Sequence, residues 1–499
     1  MIQQSTITPL NQGESATLIA QASGMDSWQV LSYQSPILPI NAALLNTGKV
    51  FFFAGSGNDP SNTSEPQGSA VLDLSTGTFS RPTTPVDDTG KPLDIFCAGQ
   101  SFLPDGKLMV AGGTVQYDPF YGSTLALLFD PSTETWIKVA SMNLGRWYPT
   151  LVTLGNGQIL ALSGFDVNSF ITTNPEIYSD SSGWTLFSQG TSPFWLYANL
   201  FLLENGQIFY SGINVFGGND TTPRILTLPS DFTQAIAENG VSGLVDSDFC
   251  NQGTSVLLPP AQDQKVMAIG GGNSDGAATS RVNIVDLKAS SPAYTAAPSL
   301  NYARMHLSAV LLPDRTVFVC NGSSHEENTS ESMLPAEIYN PATNTWTVVA
   351  APSVPRVYHS VALLLPDGSV LTAGGNPQRT VDELRLEIYR PAYMSQTRPV
   401  IQSAPSTVSP YNNDPPITIT IETPQAQNIQ WVSLIRPSAN THSLDTEQRL
   451  VDLPITSKTG TSVTVTVTSN RNLAPPGYYM LFITDNNGVP STAKWIKLS

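Results

Sequence analysis

The apolar positions of this chain recur in one phrase. A short apolar run is followed by a polar turn, a second apolar run, and small residues that end in glycine. The copies read "INAALLNTGKVFFFAGSG", "AGQSFLPDGKLMVAGG", "PTLVTLGNGQILALSG", "ANLFLLENGQIFYSG", "GTSVLLPPAQDQKVMAIGGG", "LSAVLLPDRTVFVCNG" and "SVALLLPDGSVLTAGG". Asp-Gly and Asn-Gly turns between apolar runs are strong β-hairpin signals. The pattern therefore predicts seven hairpins.

The hairpins are evenly spaced along the chain. Their turns lie near Gly48, Gly106, Gly157, Gly206, Asp263, Arg315 and Gly368, roughly 50 residues apart. A second phrase follows many of them, such as "LLFDPSTETW", "EIYSDSSGW" or "EIYNPATNTW", and supplies two further strands. Four strands per repeat at this period are typical of the kelch β-propeller. We therefore expect an all-β protein with a seven-bladed kelch propeller.

The two ends of the repeat region indicate how the ring closes. The seventh copy ends in "LEIYRPAYM" without the tryptophan-bearing outer strand, and "DSWQVLSY" at residues 26–33 is predicted to complete it. Such closure removes an exposed sheet edge. After Met394, a Pro/Ser-rich connector and short alternating segments predict an immunoglobulin-like β-sandwich. We expect an N-terminal extension at 1–24, the propeller at 25–394 and the sandwich at 395–499.

Net charge, apolar runs and cysteine content limit the kinds of molecule that this protein is expected to bind. The formal net charge of −16 argues against nucleic acid or an anionic membrane as a partner. No apolar run reaches the length of a membrane span, and the segment "MIQQSTITPLNQGES" shows no signal-peptide pattern. Three cysteines cannot form a disulfide framework. We expect a monomer whose partners are small molecules.

One position of the repeat carries reactive side chains. Counting back seven residues from the proline of "LLPDG", or its equivalent, gives Cys97, Tyr148, Tyr197, His306 and His359 in copies two, three, four, six and seven. Copy one has Pro39 at this position and copy five has Gln252. Equivalent positions of a propeller form a ring around its axis. These side chains are therefore predicted to converge at one end of the channel.

The residue types at this position indicate a metal. A lone Cys, Tyr or His at a strand start is more often structural, but this chain has only four histidines and two fall in this ring. Sulfur, imidazole and phenolate together suit copper better than magnesium or calcium. Zinc sites more usually show Cys/His pairs at short spacing, which are absent here. An ordinary copper or zinc site without further modification remains an alternative at this point.

Four separated motifs follow one another along the chain, namely "DIFCAGQSFLPDGKLMVAGG", "GRWYPT", "RVYHSVALLLPDG" and "ANTHSLDTEQR". In these motifs and in their order, the chain resembles the copper radical oxidases, the family of galactose oxidase and glyoxal oxidase. The residues that match the family's functional positions are Cys97, Tyr148, Tyr358, His359 and His442. "FCAG" and "RWYPT" are closer to glyoxal oxidases and their bacterial relatives. The resemblance extends from about Asp26 to the C-terminus.

The resemblance implies a cofactor and a reaction. One copper ion would be bound by Tyr148, Tyr358, His359 and His442, the last from the sandwich, and a thioether between Cys97 and Tyr148 would carry a tyrosyl radical. The implied reaction oxidises a small aldehyde or primary alcohol with O2 and releases hydrogen peroxide, with Tyr358 as proton acceptor. Because peroxide is easier to tolerate outside the cytoplasm, an extracellular or periplasmic location is favoured.

The substrate pocket departs from galactose oxidase. Where that enzyme stacks a tryptophan on its cross-linked tyrosine, this chain has "SGFDVNSF", which places Phe165 and Asp166 there. Trp195 is the candidate replacement from the next blade. Trp147 neighbours Tyr148 but should face the opposite way, because side chains alternate along a strand. Galactose is therefore a poor candidate substrate.

Further residues near the predicted centre are less specific. Tyr197 and His306 share the reactive position and are candidates for lining the substrate pocket. The charged residues that follow His442, namely Asp445, Glu447 and Arg449, are interpreted either as surface charge or as orienting its loop.

A rival interpretation is a non-catalytic kelch propeller that binds a protein or a glycan. Such a module would have no reason to retain all five residues of the resemblance, and none of the five is replaced. The sequence therefore favours the enzyme.

Overall fold

The computed structural model describes residues 25–64, 66–216 and 221–499 of the chain. The expected N-terminal extension, residues 1–24, lies outside the described residues. No helix in the described ranges is long and apolar enough to cross a membrane.

Seven antiparallel sheets of the described residues form the blades of a propeller, as the repeat predicts. Six of them have four strands, and the sheet of blade 1 has four strands of its own and two more from the C-terminal region. Blade 1 contains Asn41–Leu44, Val50–Gly55, Gly68–Asp73 and Thr78–Ser80; blade 2 contains Ala98–Phe102, Leu108–Gly112, Ala126–Asp130 and Thr135–Lys138; blade 3 contains Thr150–Thr153, Ile159–Leu162, Glu176–Ser179 and Gly183–Leu186. Blade 4 contains Leu200–Leu202, Ile208–Tyr210, Arg224–Thr227 and Ala237–Gly240; blade 5 contains Thr254–Leu257, Lys265–Ile269, Val282–Asp286 and Tyr294–Ala296. Blade 6 contains Ser308–Leu311, Val317–Cys320, Ala336–Asn340 and Thr345–Val349; blade 7 contains Ser360–Leu364, Val370–Gly374, Arg385–Arg390 and Ser27–Gln34.

The first strand of blades 1 to 6, and Ser360–Leu364 in blade 7, is the innermost, and the innermost strands of most neighbouring blades contact one another. These strands are buried along their whole length. Strands covered on both faces need continuous apolar sequence rather than alternation. This is why the first half of each repeat reads as an unbroken apolar run.

Blade 7 combines strands from two distant parts of the chain. Ser27–Gln34 pairs antiparallel with Arg385–Arg390, with Trp28 opposite Tyr389. The Trp28 ring packs 5.1 Å from that of Tyr389, and its Nε1–H donates to the carbonyl oxygen of Ala350 at 2.6 Å. This strand covers what would otherwise be the open edge of the blade.

The C-terminal region forms a β-sandwich. One sheet contains Thr407–Val408, Lys494–Leu498, Gly477–Asp485, Ile429–Ile435 and Leu450–Asp452, and the other contains Thr418–Glu422, Ser462–Thr466 and Ile455–Lys458. Minor elements are the hairpin Thr114–Gln116/Tyr121–Gly122 and the 3-10 turns Pro60–Thr63, Ser247–Phe249, Ala261–Asp263, Thr329–Glu331, Ala392–Ser395 and Ala426–Asn428.

One hairpin of the sandwich enters the propeller. Its strands, Ala439–Thr441 and Leu444–Asp445, extend the sheet of blade 1 because Ala439–Thr441 pairs with the innermost strand Asn41–Leu44. Asn41 lies opposite Thr441, at the end of the pairing. The turn of this hairpin places His442 at the axis. We call residues 439–445 the axial hairpin.

Candidate metal centre

The reactive position of the repeat has an unusual backbone. It lies just before the innermost strand and has positive φ in six blades: Cys97 62°, Tyr148 61°, Tyr197 44°, Gln252 55°, His306 59° and His359 61°. Non-glycine residues rarely adopt this left-handed conformation, which costs about 1–3 kcal/mol when it is strained. Blade 1 has Pro39 here, whose ring fixes a negative φ. The shared backbone turn brings these side chains to one end of the channel.

Hydrogen bonds join this position between neighbouring blades. The Tyr148 N–H donates to the Cys97 carbonyl at 3.0 Å, and the Tyr197 N–H donates to the Tyr148 carbonyl at 2.9 Å. The His306 N–H donates likewise to the Gln252 carbonyl at 2.8 Å. The left-handed backbone is therefore stabilised by contacts around the axis.

Five side chains named in the sequence analysis meet in a buried cluster. Donor atoms of Cys97, His359 and His442 all lie within 4.8 Å of one another. The hydroxyl of Tyr148 is 2.5 Å from that of Tyr358 and 2.9 Å from Nε2 of His442. Each of the five residues is at most 6% exposed.

Both imidazoles of the cluster are held through Nδ1. His359 Nδ1 lies 3.2 Å from Oδ1 of Asn376, and His442 Nδ1 lies 2.7 Å from the Thr441 hydroxyl. The Asn376 amide in turn donates to Asp382 at 2.9 Å. Since an amide oxygen only accepts, Nδ1 of His359 carries the proton and Nε2 is left as the free electron-pair donor. That Nε2 is buried and has no hydrogen-bond partner among the described residues.

Burial sets the protonation states of the cluster. It lowers the pKa of His359 to about 3 and that of His442 well below its usual value, so both imidazoles are neutral at physiological pH. It also raises the pKa of Tyr148, Tyr358 and Cys97 well above their ordinary values. Neutral imidazoles are the form that binds metals. Two imidazole nitrogens with phenol oxygens form a donor set that suits Cu(II), and the unpartnered Nε2 of His359 fits such an ion.

The ring of Trp147 stacks on that of Tyr148. The two centroids are 3.9 Å apart with planes 6° from parallel, and Phe165 lies parallel beyond Trp147 at 5.7 Å. The expectation that Trp147 faces away was wrong, because the left-handed φ of Tyr148 breaks the alternation of an extended strand. Trp195 makes no ring contact with Tyr148 in the described part of the chain, so its expected role as the replacement was also wrong. Its carbonyl instead accepts from the Ser163 hydroxyl at 2.9 Å.

Other candidate pocket residues occupy different places. Asp166 closes its own loop, because its Oδ1 accepts from the N–H groups of Asn168 and Phe170 at 2.7 and 2.9 Å. Tyr197 packs 4.4 Å from Tyr148 and donates its hydroxyl to the Ala98 carbonyl at 2.9 Å. The hydroxyl of Tyr197 is thus already satisfied by the backbone.

His306 approaches the cluster from blade 6. Its ring lies 5.4 Å from that of Tyr358, and neither of its nitrogens has a hydrogen-bond partner among the described residues. Phe216, which sequence reasoning did not single out, lies 5.9 Å from Tyr358 and 6.0 Å from Tyr148. Phe120 was missed as well and stacks on Trp147 at 4.1 Å. Both phenylalanines lie in loops outside the repeat phrase, so no periodic signal could have found them.

Comparison with known proteins identifies relatives along nearly the whole chain. Galactose oxidase from Gibberella zeae is 28% identical over 521 residues, covering 99% of this chain and 74% of that protein. Aldehyde oxidase GLOX from Vitis pseudoreticulata is 26% identical, covering 97% and 99%. A solved structure described as a novel fungal alcohol oxidase of the AA5 family in complex with copper superimposes with a TM-score of 0.79 at 24% identity, covering 95% of this chain and all of that one. The last likeness concerns the fold.

Two families match successive parts of the chain. Residues 398–498 match the galactose oxidase-like Early set domain. Residues 69–393, which make up most of the chain and include Cys97, Tyr148, Tyr358 and His359, match the glyoxal oxidase N-terminus. On these matches the chain belongs to the glyoxal oxidase family.

Proposed function

We propose that this protein is a mononuclear copper radical oxidase that oxidises a small aldehyde or primary alcohol with O2 and releases hydrogen peroxide. The observation that carries the proposal is the buried convergence of two neutral imidazoles, two tyrosine hydroxyls and a thiol. The relatives named galactose oxidase and aldehyde oxidase support the same reaction class.

His359, His442, Tyr148 and Tyr358 would bind the copper, and Cys97 with Tyr148 would form the thioether. Copper would supply one-electron redox chemistry and Lewis acidity at this point. The Cys97 thiol and the Tyr148 hydroxyl are close enough for a hydrogen bond between them to shift the pKa of both groups, and this proximity supports the cross-link. The thioether forms with loss of two hydrogen atoms, which O2 accepts.

Tyr358 is the proposed proton acceptor. Its hydroxyl is 2.5 Å from that of Tyr148. Burial raises the pKa of Tyr358 well above its ordinary value, so without a metal the side chain is a neutral phenol. With copper bound, Tyr358 would be held as the phenolate, which is the form that can accept a proton. Trp147 covers one face of Tyr148 and keeps water from that ring. Oxidation of an alcohol to an aldehyde releases two electrons and two protons. O2 accepts the two electrons and the two protons and becomes hydrogen peroxide.

The organisation and setting of the enzyme are also proposals. We assign the propeller to residues 25–394, with residues 26–33 closing its last blade, and the sandwich to 395–499. We propose a monomer that acts on a small molecule outside the cytoplasm, because peroxide is easier to tolerate there. The pairing of residues 27–34 with blade 7 supports the assignment.

Peptide mass spectrometry tests the proposed cofactor. The purified chain is digested before and after aerobic incubation with copper, and we expect Cys97 and Tyr148 peptides to become joined with the loss of two hydrogen masses. Cys97→Ser should bind copper without forming the cross-link. The buried Cys250 lies outside the cluster, so Cys250→Ser should behave as the parent. Copper binding without joined peptides would indicate an ordinary copper site, and absence of copper binding would indicate a non-catalytic module.

A further inference from the structure

A pocket of about 800 Å³ opens next to the candidate metal centre. It is formed by loops of blades 4 to 7, and His306 in its wall packs against Tyr358. Pockets of about 300–1,000 Å³ take molecules of drug size. This one is larger than a two-carbon aldehyde needs. The side chains that line the pocket therefore indicate which chemical groups a substrate carries besides the one that reacts.

Two buried side chains in this wall lack hydrogen-bond partners. Gln252 is 1% exposed and His306 is 5% exposed. Both amide atoms of Gln252 and both ring nitrogens of His306 are unpartnered within the described residues. A buried polar group without a partner costs about 1–3 kcal/mol, and each such group in a native structure calls for an explanation. A ligand with hydroxyl or ammonium groups would satisfy them.

The charged side chains of the pocket all have the same sign. Glu326 and Glu327 line it, and neither forms an ion pair in the described ranges. None of the described lining residues is Lys or Arg. A half-buried carboxylate without a cation costs free energy to ionise, and burial together with Glu326 raises the pKa of Glu327 to about 7. A bound cation would offset that cost.

We propose that this pocket selects substrates that carry an ammonium group as well as the reacting hydroxyl or aldehyde, that is, amino alcohols or amino aldehydes. This inference rests on the proposed oxidase function and names its substrate class. Glu327, assisted by Glu326, binds the ammonium group, while Gln252 and His306 bind other polar groups of the substrate. A substrate with a carboxylate at the same end is rejected by like-charge repulsion.

A set of matched substrates tests the charge preference. The copper-loaded enzyme is assayed for peroxide with aminobutanol, butanediol and hydroxybutanoate, which share one chain length and differ in the terminal group. We expect kcat/KM to fall in that order. Glu327→Gln should reduce the preference for aminobutanol over hydroxybutanoate by about tenfold, as expected for the loss of one partly buried charge partner. Glu331→Gln, in the same loop but outside the pocket, is the matched control and should leave the preference unchanged.

Binding to the copper-free chain separates this inference from the oxidase proposal. Saturation-transfer NMR should detect aminobutanol on the parent chain and on Glu331→Gln, with a weaker signal on Glu327→Gln. If no substrate yields peroxide but this binding pattern holds, the oxidase proposal fails and the ammonium site stands. If peroxide forms equally well from all three substrates, the oxidase stands and the charge preference is wrong. Equal NMR signals from the parent and Glu327→Gln would likewise overturn the ammonium site.

Discussion

His306 is buried in the propeller and forms no ion pair with any described residue. As a consequence, the stability of the fold depends on pH. Burial lowers its pKa to about 3, from 6.5 in the unfolded chain. Between these values the unfolded state binds one more proton than the folded state, so the free energy of unfolding falls as the pH falls. The neutral, buried His306 side chain therefore stabilises the fold fully above pH 6.5, and this stabilisation is lost as the pH falls towards 3.

We predict that His306→Gln flattens this acid dependence. In the copper-free chain, the slope of unfolding free energy against pH below 6.5 should decrease by about 1.4 kcal/mol per pH unit, the value for one proton. Urea unfolding at a series of pH values measures the slope. His325→Gln, at an exposed position of the same blade, should leave it unchanged. An unchanged slope in His306→Gln would mean that His306 is accessible to protons in the folded state.

The identity of the reactive residues could be predicted from the sequence wherever the repeat has a fixed register. Counting back from the turn identified Cys97, Tyr148, His306 and His359, because each repeat places this position at the same point of the backbone. The direction of Trp147 was not predictable in the same way. It depends on the left-handed φ of Tyr148, and nothing in a tyrosine signals a conformation that usually marks glycine.

At the level of elements, the axial hairpin depends on one buried ion pair. Arg436 precedes the hairpin and Glu447 follows it, and their side chains form a salt bridge at 3% and 1% exposure. Glu447 also accepts from the Phe102 N–H at 3.1 Å and lies 2.9 Å from the Thr153 hydroxyl. These contacts attach the base of the hairpin to the innermost strands of blades 2 and 3.

We predict that Glu447→Gln lowers the free energy of unfolding by about 3–5 kcal/mol, because it leaves the Arg436 guanidinium buried without a counter-charge. Copper affinity should fall as well, since the hairpin positions His442. Urea unfolding and copper titration measure the two effects. Glu422→Gln is the control and should change neither, because Glu422 lies in the sandwich strand Thr418–Glu422 and forms no ion pair within the described ranges. A loss of stability with unchanged copper affinity would show that the blade 1 pairing alone positions the hairpin.

The role of this segment was only half predictable from the sequence. The motif around His442 was found by resemblance, but surface charge was an equally open interpretation of the residues that follow it. Glu447 and Arg449 are buried, because the loop lies between the sandwich and the propeller. A run of charged residues normally indicates a solvated surface. Only the three-dimensional arrangement reveals the partner groups that offset the free-energy cost of burying these side chains.

At the scale of the whole molecule, the number of blades followed from the sequence because every blade is built on one hairpin of the same repeated pattern. The substrate pocket did not follow, because its walls are loops that differ from blade to blade. Glu326 and Glu327, for example, lie in the long loop that follows the strand Val317–Cys320. Nothing in the order of residues indicated that this loop meets Phe216 of blade 4 or Gln378 of blade 7.

The last prediction concerns the strand that closes the ring of propeller blades. The outer strand of blade 7, Ser27–Gln34, comes from the other end of the propeller sequence, so only non-covalent contacts bind it to Arg385–Arg390. Trp28 contributes to this attachment, because its ring packs on Tyr389 of blade 7 and also lies 6.0 Å from Phe318 of the neighbouring blade 6. Trp28→Ala should lower the free energy of unfolding by roughly 3 kcal/mol. It should also raise hydrogen exchange along Arg385–Arg390, because the strand that protects those amides then separates easily.

Trp136→Ala is the matched control for closure. Trp136 occupies the outer strand of blade 2, packs 5.3 Å from Phe129, and belongs to a hairpin in which Thr135–Lys138 directly follows Ala126–Asp130. Because a tight turn joins those two strands, loss of the tryptophan should destabilise blade 2 without releasing its outer strand. Exchange in Ala126–Asp130 should therefore rise less than exchange in Arg385–Arg390 does in Trp28→Ala. Equal increases would mean that the closing strand is held no differently from an outer strand within one repeat.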